Sequence, residues 1–460
     1  MAQIGLVGLG TMGRALAGAL ARAGLDVQAV DPLDAAPALL GGVTLHADLA
    51  SMAAALIPPR RILMMVTAGQ PVDDVIGALT PLCARGDLLI DGGNSFFGDT
   101  ERRAADLAES GLRYIGAGIS GGEEGARNGA SVMAGGDADS FAMAEDILAA
   151  ITARWNGRSC CALIGPGGAG HFVKMVHNGI EYALMQAIAE AHFILHRGAG
   201  LAHADIAALF RGWNDGVLES YLLGIAADIL ATPDPESDAP LIDMLDDVAR
   251  ENGTGRWIVT EAMALGVPVS SIAEAVAART LSGQTVARAA LSAGPQTSAF
   301  KPTEVFIDGV RAALTGCTVA AFGQGLSVLS AAGLRDGWLP DIAGIARIWR
   351  KGCIVQGAFL EQVERAFSRQ PDLPHLLMDP DVAALARGAE PGWRQIASRA
   401  LAAGLPVPVI AASLGGYDGL RAGRLWTALV QAQRDYFGRH GLTRTDRPGV
   451  FHADWADWKD

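Results

Sequence analysis

Residues 168–186, GAGHFVKMVHNGIEYALMQ, set Lys174, His177, Asn178, Glu181 and Tyr182 among apolar neighbours. On a helix turning about 100° per residue, with Lys174 at 0°, the other four fall at roughly 300°, 40°, 340° and 80°, one continuous polar stripe. Phe172, Val173, Met175, Val176, Ile180, Ala183 and Leu184 fill the rest of the circle. A stripe of this kind inside so apolar a helix reads as the wall of a ligand cavity on a helix buried on most sides. An ordinary amphipathic surface helix is the plainer alternative. The residue types suit proton transfer. An amine whose pKa is lowered by burial can take a hydroxyl proton, and a carboxylic acid two turns along the same face can deliver one.

A second stretch suits a nucleotide. Gly8-Leu9-Gly10-Thr11-Met12-Gly13 follows the apolar run QIGLV and opens RALAGALARAG. G-x-G-x-x-G alone is weak evidence, since any tight strand-to-helix turn produces it. Between a strand and a helix it gains weight: the first glycine allows the turn, the second lets a pyrophosphate approach, and the third permits close packing. The phosphates then meet free N–H groups at a helix N-terminus. The next strand ends in Asp31, 18 positions after Gly13, followed by Pro32, Leu33 and Asp34 with no basic residue. An acid there accepts from the ribose hydroxyls of NAD and repels the extra phosphate of NADP. NAD is therefore favoured, with NADP possible; a turn-capping role for Asp31 is the plainer reading.

These residues need elements to carry them. QIGLVG, DVQAVD, RILMMV, DLLIDGG and LRYIGAG are strand candidates separated by Ala-rich helical patterns, which predicts a parallel sheet wound by helices over residues 1–167. From 168 to 422 strand signals nearly vanish and a large all-α domain is expected, broken by a loop at Pro233, Pro235 and Pro240. Residues 423–460 form a short C-terminal tail with a helix at QAQRDYFG and then an aromatic segment that needs a surface to pack on. The fold class is thus an α/β Rossmann-like N-terminal domain, an all-α domain and a tail.

Composition narrows the functions. The 460 residues are half hydrophobic and 18% charged, a globular balance that needs more than one core. A net charge of −13 argues against nucleic-acid and anionic-membrane partners. Cys83, Cys160, Cys161, Cys317 and Cys353 are odd in number and contain no C-x-x-C pair, which predicts free thiols in a reducing, cytoplasmic setting without a zinc site. The N-terminus has no leader-like pattern. Residues 312–334 carry no charge and are long enough to span a bilayer, but Gln324 and four glycines favour a buried core helix. No metal is expected, and His171, His192, His196 and His203 read as structural or surface residues.

DGGNS (91–95), ISGGEEGARNGASVMAGG (119–136), GAGHFVKMVHNGIEY (168–182), NGTGRW (252–257) and QAQRDYFG (431–438) resemble, in order and spacing, the long form of decarboxylating 6-phosphogluconate dehydrogenases. The resemblance implies oxidation and decarboxylation of 6-phosphogluconate to ribulose 5-phosphate, a pentose phosphate pathway step, by a homodimer with shared active sites. It assigns Lys174 as general base and acid and Glu181 as a second proton donor. Asn94, Ser120, Gly121, Gly122, His177 and Asn178 would hold the sugar acid. Tyr182, Thr254 and Arg279 would hold its phosphate, with Arg434 and His440 supplied by the other subunit's tail. Val66, Thr67 and Ala68, with Asn94, would line the nicotinamide side. Two positions depart from the family pattern. Asp31-Pro32-Leu33 replaces the Asn-Arg-Thr of NADP-using members, and Asn252 stands where the family has a phosphate-binding Lys. Asn252 leaves open an alternative, an NAD-dependent 3-hydroxy-acid dehydrogenase acting on a non-phosphorylated or smaller acid.

Overall fold

The structure, a computed structural model, describes residues 3–31, 41–250, 253–292 and 300–455. The chain forms two compact units, Met1–Leu414 and Gly415–Asp460. The first begins with an eight-stranded sheet in the order β10-β7-β6-β5-β4-β1-β2-β3. Its strands are β1 (Gln3–Val7), β2 (Asp26–Val30), β3 (Val43–Leu45), β4 (Arg61–Met64), β5 (Leu88–Asp91), β6 (Arg113–Ser120), β7 (Ser131–Gly135) and β10 (Cys161–Gly165). A hairpin of β8 (Arg154–Trp155) and β9 (Arg158–Ser159) precedes the last. Helices α1 (Thr11–Arg22), α2 (Leu49–Ala55), α3 (Gln70–Leu79), α4 (Phe97–Glu109), α5 (Gly122–Asn128) and α6 (Ala138–Ala150) connect them.

All five strand candidates are strands, and β1 to β6 pair in parallel. The sheet is not wholly parallel, however. β7 runs antiparallel to β6, and β10 pairs in parallel with β7. The connection from β6 to β7 is only a seven-residue helix, α5. So short a return suits an antiparallel neighbour, whereas a parallel one needs a crossover of a dozen or more residues. The sheet buries both faces, under Leu16 and Leu20 of α1 on one side and Val72 and Leu107 on the other.

Beyond the sheet the unit is helical: α7 (Ala169–Phe193), α8 (His203–Trp213), α9 (Tyr221–Ala231), α10 (Thr254–Ala264), α11 (Ser270–Ser282), α12 (Thr285–Leu291), α13 (Glu304–Asp336), α14 (Ile342–Ile348), α15 (Phe359–Arg369), α16 (Pro380–Ala402) and the first half of α17 (Pro408–Arg421). The uncharged stretch 312–334 lies within α13, which packs against α7 and α16 and is buried over most of that length, as a core helix should be. The second unit contains α18 (Thr427–Gly438) and a small pair, β11 (Leu442–Thr443) with β12 (Val450–Phe451). Asp435 organises it: its carboxylate accepts from the Gly441 and Ala453 amides and from Trp455 Nε1, and it pairs with His452. Trp458 lies outside the described residues.

Small residues set the spacing of α13 against α16. A Cβ on Gly316 would fall 2.2 Å from the Trp393 ring, which is buried and held by a 3.1 Å bond from Nε1 to the Ile410 carbonyl. Gly316→Ala should therefore destabilise the protein by about 1–3 kcal/mol, the usual cost of overpacking. A lower urea midpoint, with KM for cofactor and substrate unchanged, is the expected result.

Candidate active site

The candidate cofactor residues gather at the carboxyl ends of adjacent parallel strands. Gly8–Gly13 follows β1, Val66, Thr67 and Ala68 follow β4, and Asn94 follows β5. In open α/β sheets ligands bind in such a crevice. The glycines divide their tasks as the motif requires. Gly8 has φ +96, and a Cβ there would meet the Met65 carbonyl at 2.5 Å. Gly13 brings α1 so near the turn that a Cβ would touch the Gly8 oxygen. Beside Gly10 nothing lies within 4 Å of the Cβ position, which leaves the N-terminus of α1 open to a diphosphate. A dinucleotide fits this cradle. Asp31 accepts from the Leu9 amide at 2.8 Å, so its carboxylate is tied to the phosphate turn. Pro32, Leu33 and Asn252 lie outside the described residues.

The DGGNS turn is held from beneath. Buried Asp91 accepts from the Gly93 amide (3.0 Å), Ser95 Oγ (2.6 Å) and Tyr114 OH (3.0 Å). Arg103, equally buried, lies 3.5 Å from that carboxylate and pairs with Asp73. Asn94 is thereby presented, exposed, at the crevice.

The polar stripe is real and buried. Helix α7 packs on β6, β7, α10, α11 and α13 at once. Lys174 is 7% exposed, and Asn178 and Tyr182 are similarly enclosed. Lys174 Nζ donates to Asn178 Oδ1 at 2.8 Å, and Asn178 Nδ2 donates to Thr254 Oγ1 at 3.1 Å. His177 Nε2 lies 3.2 Å from Ser120 Oγ, and its Nδ1 lies 3.7 Å from Glu181 Oε2. Arg279 stacks on the Tyr182 ring at 3.5 Å. Ser120, Lys174, His177, Asn178, Glu181, Tyr182, Thr254 and Arg279 thus form one connected group. Gly121 and Gly122 follow Ser120 with φ +112 and +61, and a Cβ on Gly121 would meet the Gly352 carbonyl at 2.4 Å. Arg434 and His440 belong to the second unit, where both are exposed.

The sequence reading missed two members. The Trp349 ring packs edge-on against His177 with centroids 5.3 Å apart, and the buried Cys353 thiol bonds to the Trp349 carbonyl. Both come from the short stretch RIWRKGC (347–353), which matches no catalytic or binding motif.

Burial sets the charges. It lowers the Lys174 pKa from 10.5, against a smaller opposing pull from Glu181. It raises Glu181 from 4.5, against Lys174 and Arg279. His177 is held well below 6.5, first by burial and then by Lys174, so it is neutral. An amine easier to deprotonate beside an acid slower to ionise is a proton donor–acceptor pair.

A model of the family described as 6-phosphogluconate dehydrogenase, C-terminal domain, matches residues 170–455. One described as the NAD binding domain of 6-phosphogluconate dehydrogenase matches residues 3–165. The chain is 42% identical to a Bacillus subtilis protein named 6-phosphogluconate dehydrogenase, NAD(+)-dependent, decarboxylating, over 99% of both chains. It is 40% identical to that organism's NADP(+)-dependent counterpart, over 98% of this chain and 99% of the relative. The solved structure of Plasmodium falciparum 6-phosphogluconate dehydrogenase, studied apo, with its cofactor NADP+ and with its substrate 6-phosphogluconate, matches with a TM-score of 0.91 at 32% identity. The match covers 98% of this chain and 100% of that one.

A close approach places the amine: a Cβ on Gly118 of β6 would fall 2.4 Å from Lys174 Cβ. Gly118→Ala should push the Lys174 side chain out of register and lower kcat about a hundredfold, the scale of a misplacement near 1 Å. Unchanged far-UV circular dichroism alongside the lost turnover would confirm a local effect.

Proposed function

Because the chain belongs to the 6-phosphogluconate dehydrogenase family, we propose that it oxidises and decarboxylates 6-phosphogluconate to ribulose 5-phosphate and CO2, with NAD preferred over NADP. The observation that carries the reading is the buried Lys174, bonded through Asn178 to Thr254, with Glu181 on the same face of α7. The nicotinamide cofactor supplies the hydride acceptor. Unprotonated Lys174 takes the C3 hydroxyl proton, a task its burial favours. The resulting ammonium then faces the C3 oxygen and stabilises the negative charge that grows there as CO2 leaves. Glu181, kept protonated more readily by burial, delivers a proton to C1 of the enediol. Ser120, His177 and Asn178 orient the sugar acid, with Asn94, Gly121 and Gly122 at its edge. Tyr182, Thr254 and Arg279 take the phosphate. The five free cysteines support a cytoplasmic setting. An assay of purified protein with 6-phosphogluconate, following reduced cofactor and CO2 together, tests the reaction.

The NAD preference rests on Asp31, since relatives of both cofactor types match this chain. Its carboxylate accepts from the Leu9 amide beside the glycine turn, and an acid at the end of this strand disfavours a 2′-phosphate. Wild type should show the higher kcat/KM with NAD, and Asp31→Asn with Pro32→Arg should narrow or reverse the ratio. The Asn keeps an acceptor for Leu9, so the change reads charge and not loop collapse.

The tail supports a dimer with shared sites. On α18 and just before it, Trp426 (71%), Leu429 (66%) and Phe437 (73%) are exposed, more apolar surface than a single helix leaves in water without a partner. Arg434 and His440, on the same unit, would then reach the neighbour's phosphate group. Mixing Lys174→Ala with Arg434→Ala subunits should restore activity on exchange, because one heterodimer site keeps both residues. Exchange without recovery would place Arg434 at its own chain's site.

A further inference from the structure

Away from the catalytic stripe, three histidines and a carboxylate meet at the far end of the same helix. After α7 the chain makes one π turn, Ile194–Gly198, before α8 begins at His203. His192 and His196 are four residues apart and share a face, and the His196 and His203 rings stack with centroids 4.1 Å apart. Asp243, from the short turn Leu241–Met244, brings its carboxylate to 3.0 Å from His203 Nε2. One ligand atom each from His196, His203 and Asp243 lies within 4.8 Å of the others. The separate expectation that these histidines serve only structure or surface overlooked this meeting, because the fourth member is 40 residues beyond His203.

We propose that His196, His203 and Asp243 bind one transition-metal dication of the Zn2+ type, an ion that pins the end of α7 to α8 and to the Leu241–Met244 turn. Zinc takes imidazole nitrogen and carboxylate oxygen at about 2.0–2.2 Å, so two ligands at the tetrahedral angle stand about 3.3–3.5 Å apart. His203 and Asp243 are already near that separation. His196 must swing inward, and it and Asp243 are the two members not fully enclosed. The outer bonds suit ligation as well. His196 Nδ1 lies 2.9 Å from the Leu201 carbonyl, which leaves Nε2 to face the ion, and His203 Nδ1 lies 3.1 Å from His192 Nε2. A metal-bound imidazole usually has its second nitrogen held in this way. Asp243 is half exposed, which gives the ion a way in and room for water as the fourth ligand.

The test is calorimetric titration of metal-stripped, full-length protein with Zn2+ alone, with and without saturating 6-phosphogluconate. The expected result is one ion per chain, unaffected by substrate, with an upward shift of the thermal midpoint that grows with ion concentration. Asp243→Asn, a near-isosteric change at a half-exposed position, should weaken binding by at least about tenfold and leave kcat unchanged. His196→Ala should do the same. Binding that substrate abolishes, binding unchanged in both variants, or no saturation below about 100 μM would each overturn the proposal.

Discussion

Everything at this site depends on how closely α7 lies against the sheet. Gly116 and Gly118 of β6, Gly135 of β7 and Gly170 of α7 leave no room for a Cβ: each would come within 3 Å of a neighbouring atom, and the one on Gly170 would meet Gly116 O, Gly135 N and Met133 O together. At Gly135 and Gly170 backbone meets backbone, while Gly116 and Gly118 make room for the side chains of Thr100, His171 and Lys174. Lys174 is buried as a consequence, since its Cβ lies over Gly118, which has none. From that burial follow the depressed amine, the raised Glu181 and the neutral His177, because desolvation is the leading cause in all three. Glycine serves here as a distance setting, and its lack of a side chain matters more than its backbone freedom.

The cofactor half is built on a different constraint. The phosphate turn must stay open at Gly10 while the strands on either side stay fixed, and hydrogen bonds to buried or half-buried carboxylates do the fixing. Asp31 holds Leu9 from one neighbour, and Asp91 holds the turn that presents Asn94 from another. Neither carboxylate needs to touch substrate to matter, since each sets where an open backbone loop points. Arg103, buried against Asp91 and Asp73, keeps the Asp91 charge compensated inside the protein.

Much of this was legible in the chain because periodicity and chemistry coincide there. The stripe on α7 is a wheel pattern with unusual residues, and the glycine turn lies between an apolar run and a helix, so each carries two independent signals. The strands β7 and β10 were not legible: SVMAG and CALIG are short and half made of small residues, with little of the β-branched and aromatic content that marks a strand. Their pairing follows from the brevity of α5, a fact of connection length that composition does not reveal. Trp349 and Cys353 were missed for a similar reason. They reach the site from a loop after α14, and nothing in their local sequence announces contact with His177. The bond from Asn178 to Thr254 joins residues 76 apart, and only the tertiary fold could show it.

Placing an amine and a carboxyl inside a packed helix has a cost with a definite sign. A lysine whose folded pKa lies below its unfolded value binds fewer protons when folded, so between those values stability rises with pH. Glu181, raised when folded, binds more protons in the native state, and its contribution falls as pH climbs from 4.5 through the folded value. Whichever of the two is charged carries a burial penalty, offset in part by the attraction between them and, for Glu181, by Arg279. The site is therefore a destabilised patch on a helix that the rest of the structure must hold. At the other end of α7, Glu190 accepts from the Val409 and Ile410 amides, and along its length α10, α11 and α13 bury its apolar faces. The helix is fixed at many points because its middle is electrostatically unfavourable. The same burial that costs stability makes the Lys174 amine easier to deprotonate.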